Sequence, residues 1–136
     1  MKTFALVLAC LGLIAFATAC SERDKTPGND GDRKTVEAPI DGIDILVRES
    51  FPPGYTAHIL SGLPSGCARF DAAKVVGRSG TTITIRVTNT IPTDTTIACT
   101  AIYGTHESNV DLGKDFISGT TYTVQVNDRT KTFVAQ

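Results

Sequence analysis

The chain has 136 residues, about one domain's worth. With 41% hydrophobic and 20% charged residues it has enough apolar side chains for a core, which excludes a wholly disordered protein. A net charge of −1 leaves no basic footprint, so nucleic acid is not an expected partner.

The first element is a targeting segment. Lys2 and the amino terminus give a short positive start, and Phe4 to Ala17 then run without a charge. As a helix that run spans about 21 Å, too short to cross a bilayer. A positive start, a short apolar core and small residues before a cut mark a secretory signal peptide, here residues 1–19.

The cut region Ala17-Thr18-Ala19-Cys20 resembles the lipobox of bacterial lipoproteins, departing from it at Ala17, where Leu is commonest. The resemblance implies a Cys20 that carries acyl chains such as palmitate and becomes the mature amino terminus. Each buried methylene contributes about 0.8 kcal/mol, so two or three chains would hold the protein on a membrane. Ser21 then implies the outer membrane if the host is Gram-negative, with the domain facing the periplasm or the exterior. Plain secretion, cleaved after Ala19 and without lipid, is the alternative.

Of the four cysteines, Cys10 leaves with the signal peptide and Cys20 is taken by the lipid. Cys67 and Cys99 remain, in a compartment that permits disulfides. A Cys67–Cys99 bridge is the first reading. Two free thiols or half a metal site are the alternatives, and no CxxC motif or nearby His favours the metal.

Residues 20–39 are rich in charge, Pro and Gly, with Val36 the only sizeable apolar side chain. Such a stretch cannot bury enough surface to offset its ordering entropy. It reads as a flexible tether with an average span of about 25 Å.

The remaining residues, 40–136, read as one β domain. Ile43, Ile45 and Val47 alternate with polar neighbours, and so do Ile83, Ile85 and Val87. Tyr122, Val124 and Val126 alternate in the same way, and Ile97, Cys99, Ala101 and Tyr103 are placed on one face of a further strand. Shorter strands are expected near Thr56–Leu60, Cys67–Phe70, Lys74–Val76 and Lys131–Ala135. Turn residues separate them at Pro52-Pro53-Gly54, Leu63-Pro64-Ser65-Gly66, Arg78-Ser79-Gly80, Gly113 to Gly119 and Asn127-Asp128-Arg129. Seven to eight short strands predict an all-β, antiparallel two-sheet sandwich, immunoglobulin-like in its first reading and a small barrel in its second.

With the strands laid out, residues 42–136 resemble an uncharacterised domain of predicted bacterial envelope proteins. The features that carry the resemblance are Glu49-Ser50-Phe51-Pro52-Pro53, Ser61-Gly62-Leu63-Pro64 with Cys67 and Phe70, and Val87-Thr88-Asn89-Thr90. They continue through Cys99, Tyr103-Gly104, Tyr122-Thr123-Val124, Val126-Asn127 and Thr132-Phe133. These are turn and core residues, so the resemblance implies a fold and no activity.

Catalytic signals are weak. HExxH, GxGxxG and P-loop patterns are missing from the sequence, and Ser65 is one place late for a nucleophile elbow. His58 and His106 could form a two-His site only if they meet in space. No catalytic residue, metal or cofactor is therefore assigned. Phe51, Pro52, Pro53 and Tyr55 put two aromatics around a stiff Pro pair and form the candidate contact loop. The functional expectation is a lipid-anchored, non-enzymatic interaction module of the cell envelope. Its partners would be the membrane through the anchor, and an envelope protein or surface polymer through the domain. An extracellular protease inhibitor is the alternative.

Overall fold

The computed structural model describes residues 31–136. The signal peptide, Cys20 and the first part of the tether lie outside the described residues. Eight strands follow in chain order: β1 (Arg33–Glu37), β2 (Ile40–Arg48), β3 (Gly54–Leu63), β4 (Arg69–Ser79), β5 (Thr82–Pro92), β6 (Gly104–Gly113), β7 (Thr121–Val126) and β8 (Arg129–Val134). They form two sheets, one of β1, β4, β5, β7 and β8 and one of β2-β3-β6. The all-β sandwich expected from alternation is the fold observed.

β5 is the spine of the larger sheet. Along one edge its residues Thr82 to Thr90 pair with β4. The other edge is divided. β1 lies antiparallel to Thr88–Pro92, and β7 lies parallel to Thr82–Ile85. The parallel pair departs from the expected all-antiparallel arrangement. It arises because the corner between β6 and β7 crosses from the smaller sheet and delivers β7 at the end where β5 begins.

The core follows the period of two. Ile83, Ile85 and Val87 of β5 face Tyr55, Ala57 and Ile59 of β3, with Tyr122, Val124 and Val126 of β7 beside them. Burying an aliphatic side chain of this size stabilises by about 1.5–3 kcal/mol. The turn residues also do what their types permit. Gly80 between β4 and β5 and Asn127 between β7 and β8 both have positive φ, 56° and 49°. Tyr122 turns its ring inward and its hydroxyl accepts the Ile117 N–H at 3.1 Å, the corner device of immunoglobulin-like sandwiches.

Three expectations need correction. The tether does not run to residue 39, because Arg33–Glu37 form β1. Apolar content could not reveal this strand, since main-chain pairing to the β5 edge holds it together with one side chain. The Arg33 guanidinium donates to the carbonyls of Thr90 (2.8 Å) and Cys67 (2.6 Å). Next, Ile97, Cys99, Ala101 and Tyr103 are not on a strand. The crossover from Thr93 to Tyr103 has no regular structure and every residue of it is exposed. Alternation there has no buried face to serve. Finally, the segments near Cys67–Phe70 and Lys74–Val76 belong to one strand, β4, whose register shifts at Phe70/Ala72 and Val75/Gly77. Bulges of this kind protect an edge strand against pairing with other chains.

Candidate functional site

The two ends of the sandwich differ. The turn between β2 and β3 lies at one end, where Arg48 is opposite Gly54 and Tyr55 is opposite Gly113. The β4–β5 hairpin is at the same end, since the Arg78 guanidinium there donates to the Leu112 carbonyl at 2.5 Å. At the other end Asp32 accepts the Thr93 N–H and hydroxyl, just beyond the Arg33–Pro92 pair. β5 runs between them with 11 residues, about 33 Å. The chain therefore enters the domain at the end opposite Phe51.

Phe51 is fully exposed, at 100%. It precedes Pro52 through a cis peptide bond. The turn that carries it is tied down locally. The Ser50 hydroxyl donates to the Pro52 carbonyl at 2.9 Å, and Arg48 reaches Asp111 on β6 at 2.7 Å. The Gly113 main-chain N–H, followed by the Arg48 guanidinium, holds the Asp111 carboxyl below the usual carboxylate range. The Arg48 guanidinium lies over Gly54, where a Cβ would sit 2.7 Å from a guanidinium nitrogen. A side chain at position 54 would push the guanidinium aside and loosen the clamp.

Tyr55, expected as a second contact aromatic, is 1% exposed. Its ring lies 4.8 Å from Phe116 and 4.8 Å from Phe133, and its hydroxyl accepts the Gln136 N–H at 2.7 Å. Alternation on β3 places Tyr55 on the same inward face as Ala57 and Ile59. Tyr55 is thus a core residue, and of the aromatics in the loop Phe51 alone is offered to solvent. A groove of about 360 Å³ remains between the Phe51 turn and the β6–β7 corner, with Phe116 on its floor and Lys114 and Gln136 on its rim. Ile117, 72% exposed, belongs to the same corner.

The two histidines do not meet. His58 is opposite Asn109 and His106 is opposite Ser61. The positions differ by an odd number on β3, so the rings leave opposite faces of the sheet. His58 Nδ1 is 3.1 Å from Asn109 Oδ1, and His106 stacks on Phe70 at 3.8 Å between the sheets. Ser65 occupies the bend before β4, where its carbonyl accepts the Ala68 N–H. Among the described residues no group of three or more His, Cys, Asp or Glu is placed to hold a metal ion.

Cys67 and Cys99 are bridged, with Cα atoms 5.4 Å apart. The bridge lies at the chain-entry end. It joins the β3–β4 turn to the β5–β6 crossover instead of spanning the core as an immunoglobulin bridge does. Nearby, the Tyr103 hydroxyl donates to the Asp41 carboxylate at 3.0 Å. Partial desolvation raises the Tyr103 pKa above the ordinary tyrosine value, and the Asp41 hydrogen bond and charge add to the shift.

Two residues organise the scaffold, Asn127, which the sequence marks only as a turn residue, and Arg33, which it places in the tether. Asn127 bonds to Val87 and Ala38, and Arg33 ties β1 to the Cys67 turn. An Asn after a strand signals a turn, but nothing in the sequence says which distant backbone its amide will meet.

The model of the family described as the ORF11 beta-sandwich domain matches residues 57–135, which hold both bridged cysteines and Asn127 but not the Phe51 turn. No curated protein and no solved structure matches the chain.

Proposed function

The chain belongs to the ORF11 beta-sandwich domain family; we propose, from its sequence and the placement of its turns, that it is a non-enzymatic binding module held at the cell envelope by a lipid on Cys20. The β-sandwich supplies the scaffold and the Phe51 turn supplies the contact. The observation that carries the reading is the placement of the turn. A fully exposed aromatic on a locally clamped turn stands at the end of the sandwich opposite the chain entry. An anchor before residue 31 would thus be attached at the end of the domain opposite Phe51, leaving that turn free to meet a partner. A rigid aromatic loses little conformational entropy on binding, which suits it as an anchor. The partner is another envelope protein or a surface polymer that accepts an aromatic side chain.

The test is capture of a partner from envelope extract of the native host on immobilised protein, with Phe51→Ala alongside. One saturable partner, lost with Phe51→Ala, is the expected result. A partner retained equally by Phe51→Ala, or none from protein or polymer fractions, contradicts the reading. Cys20→Ser tests the anchor separately. The variant should leave the membrane fraction, and full retention there contradicts lipidation.

A further inference from the structure

The disulfide occupies an unusual setting for a structural bridge. Cys99 is exposed and Cys67 half-buried. Cys67 lines a small cavity with Arg33, Arg69, Gly66, Pro92 and Ile97. Two arginines thus line that cavity with Cys67, and the Arg33 Nη2 donates to the Cys67 carbonyl at 2.6 Å. Cations beside a sulfur favour the negative charge that it carries when an S–S bond breaks. Exposure selects Cys99 as the sulfur open to attack, and charge selects Cys67 as the sulfur that leaves.

What the bridge holds is equally asymmetric. The crossover Thr93–Tyr103 contributes no residue to the hydrophobic core. Its first residue is fastened to Asp32 and its last to Asp41. Between those points, among the described residues, the disulfide and a main-chain bond from the Gly66 N–H to the Thr100 carbonyl at 3.0 Å tie it to the rest of the domain. Thr96 bonds within the segment, to Asp94.

We propose that Cys67–Cys99 is an exchange-active disulfide, opened by a dithiol reductant at Cys99 Sγ, and that opening it frees the crossover while the sandwich stays folded. The first thiolate of the dithiol bonds to Cys99 Sγ. The Cys99–Cys67 bond breaks, and Cys67 departs as a thiolate beside the two arginines. The second thiol of the reductant gives up its proton and attacks the reductant's own sulfur in the mixed disulfide. Cys99 is released as a thiolate, the reductant leaves as a disulfide, and solvent protonates the two cysteines according to pH. Two electrons pass from the dithiol to the protein.

The experiment uses the purified full chain and three readouts. A dithiol oxidoreductase with its second cysteine changed to serine traps the first step. Peptide mass should place the mixed disulfide on Cys99, at about tenfold excess over Cys67. Trapping mainly on Cys67, or no trapping, overturns the proposal. Hydrogen exchange before and after dithiothreitol should rise at Gly66, whose N–H donates to the Thr100 carbonyl of the crossover, and stay unchanged in β3, β5 and β7. Exchange that rises throughout those strands, or rises nowhere, overturns it. Arg69→Gln should slow reduction by about threefold at low salt. An unchanged rate overturns the role given to Arg69 in the departure of Cys67.

Discussion

The side-chain amide of Asn127 pairs with the main chain of Val87 as a strand residue would. The Val87 N–H donates to Asn127 Oδ1 at 3.0 Å, and Asn127 Nδ2 donates to the Val87 carbonyl at 2.9 Å. Nδ2 also reaches the Ala38 carbonyl at 2.8 Å. β1 covers β5 as far as Thr88 and β7 as far as Ile85, so Val87 sits in the gap between two partners. That amide, together with the Ala38 N–H that donates to the Val87 carbonyl at 3.0 Å, closes the gap and joins three segments of chain.

The consequence is a large effect from a single turn residue. Asn127→Ala removes these bonds, leaves the Val87 N–H without its partner while the Val87 carbonyl keeps the Ala38 N–H, and puts a residue with a Cβ and no side-chain partner at positive φ. Loss of about 2–4 kcal/mol is expected. Asn127→Gly keeps the backbone freedom and loses only the bonds, so it should fall between. Chemical denaturation of the three proteins measures the order. Equal stability of Asn127→Ala and the native chain would remove Asn127 from this role.

Phe51 and Tyr55 are four residues apart and should respond oppositely. Phe51→Ala changes a fully exposed side chain and should shift stability by less than about 0.5 kcal/mol. Tyr55→Ala empties a site packed against Phe116 and Phe133 and should cost about 3–5 kcal/mol. Thermal unfolding separates them, and a strongly destabilised Phe51→Ala would mean that the ring is a packing residue after all.

The Arg48–Asp111 clamp gives the Phe51 turn an acid sensitivity. The Asp111 pKa is lowered in the folded chain. Its contribution is therefore present above the unfolded carboxylate value of 3.8 and is lost as pH falls through the folded value. Hydrogen exchange of residues 48–54 should rise at acid pH sooner than that of the β5 core. Asp111→Asn should abolish the difference, and a turn equally protected at all pH values would contradict the clamp.

At the opposite end, Gly62 and Tyr103 are matched. A Cβ on Gly62 would lie 1.7 Å from the Tyr103 hydroxyl oxygen, so Gly62→Ala must expel the ring. The Tyr103 pKa is raised in the native chain, so its contribution is full below the unfolded value of 10.0 and lost as pH rises through the folded value. Ultraviolet titration should show one tyrosine ionising later than an ordinary one. Gly62→Ala should return it to the ordinary range, and Tyr103→Phe should remove it.

The sequence made the core strands legible because each has one buried face. Ile83, Ile85 and Val87, and Tyr122, Val124 and Val126, alternate as the pleat requires. β1 was hidden because pairing to a free edge leaves no hydrophobic trace. The crossover misled for the converse reason. Ile97, Cys99, Ala101 and Tyr103 alternate by type, yet a disulfide and a tyrosine–carboxylate bond hold that segment, not a sheet. The contact loop was half legible. Phe51 and Tyr55 look alike in the sequence, and only the register of β3 puts Tyr55 inside. The pairing of Cys67 with Cys99 followed from counting, but its place at the chain-entry end did not.

The most direct measurement is site-specific photo-crosslinking in cells of the native host, with the probe at Phe51 and, as comparison, at exposed Thr35 on β1. The account predicts one saturable cross-linked species from Phe51 and none from Thr35. Silence at Phe51, or the same species from both positions, would contradict a binding module that presents its distal turn.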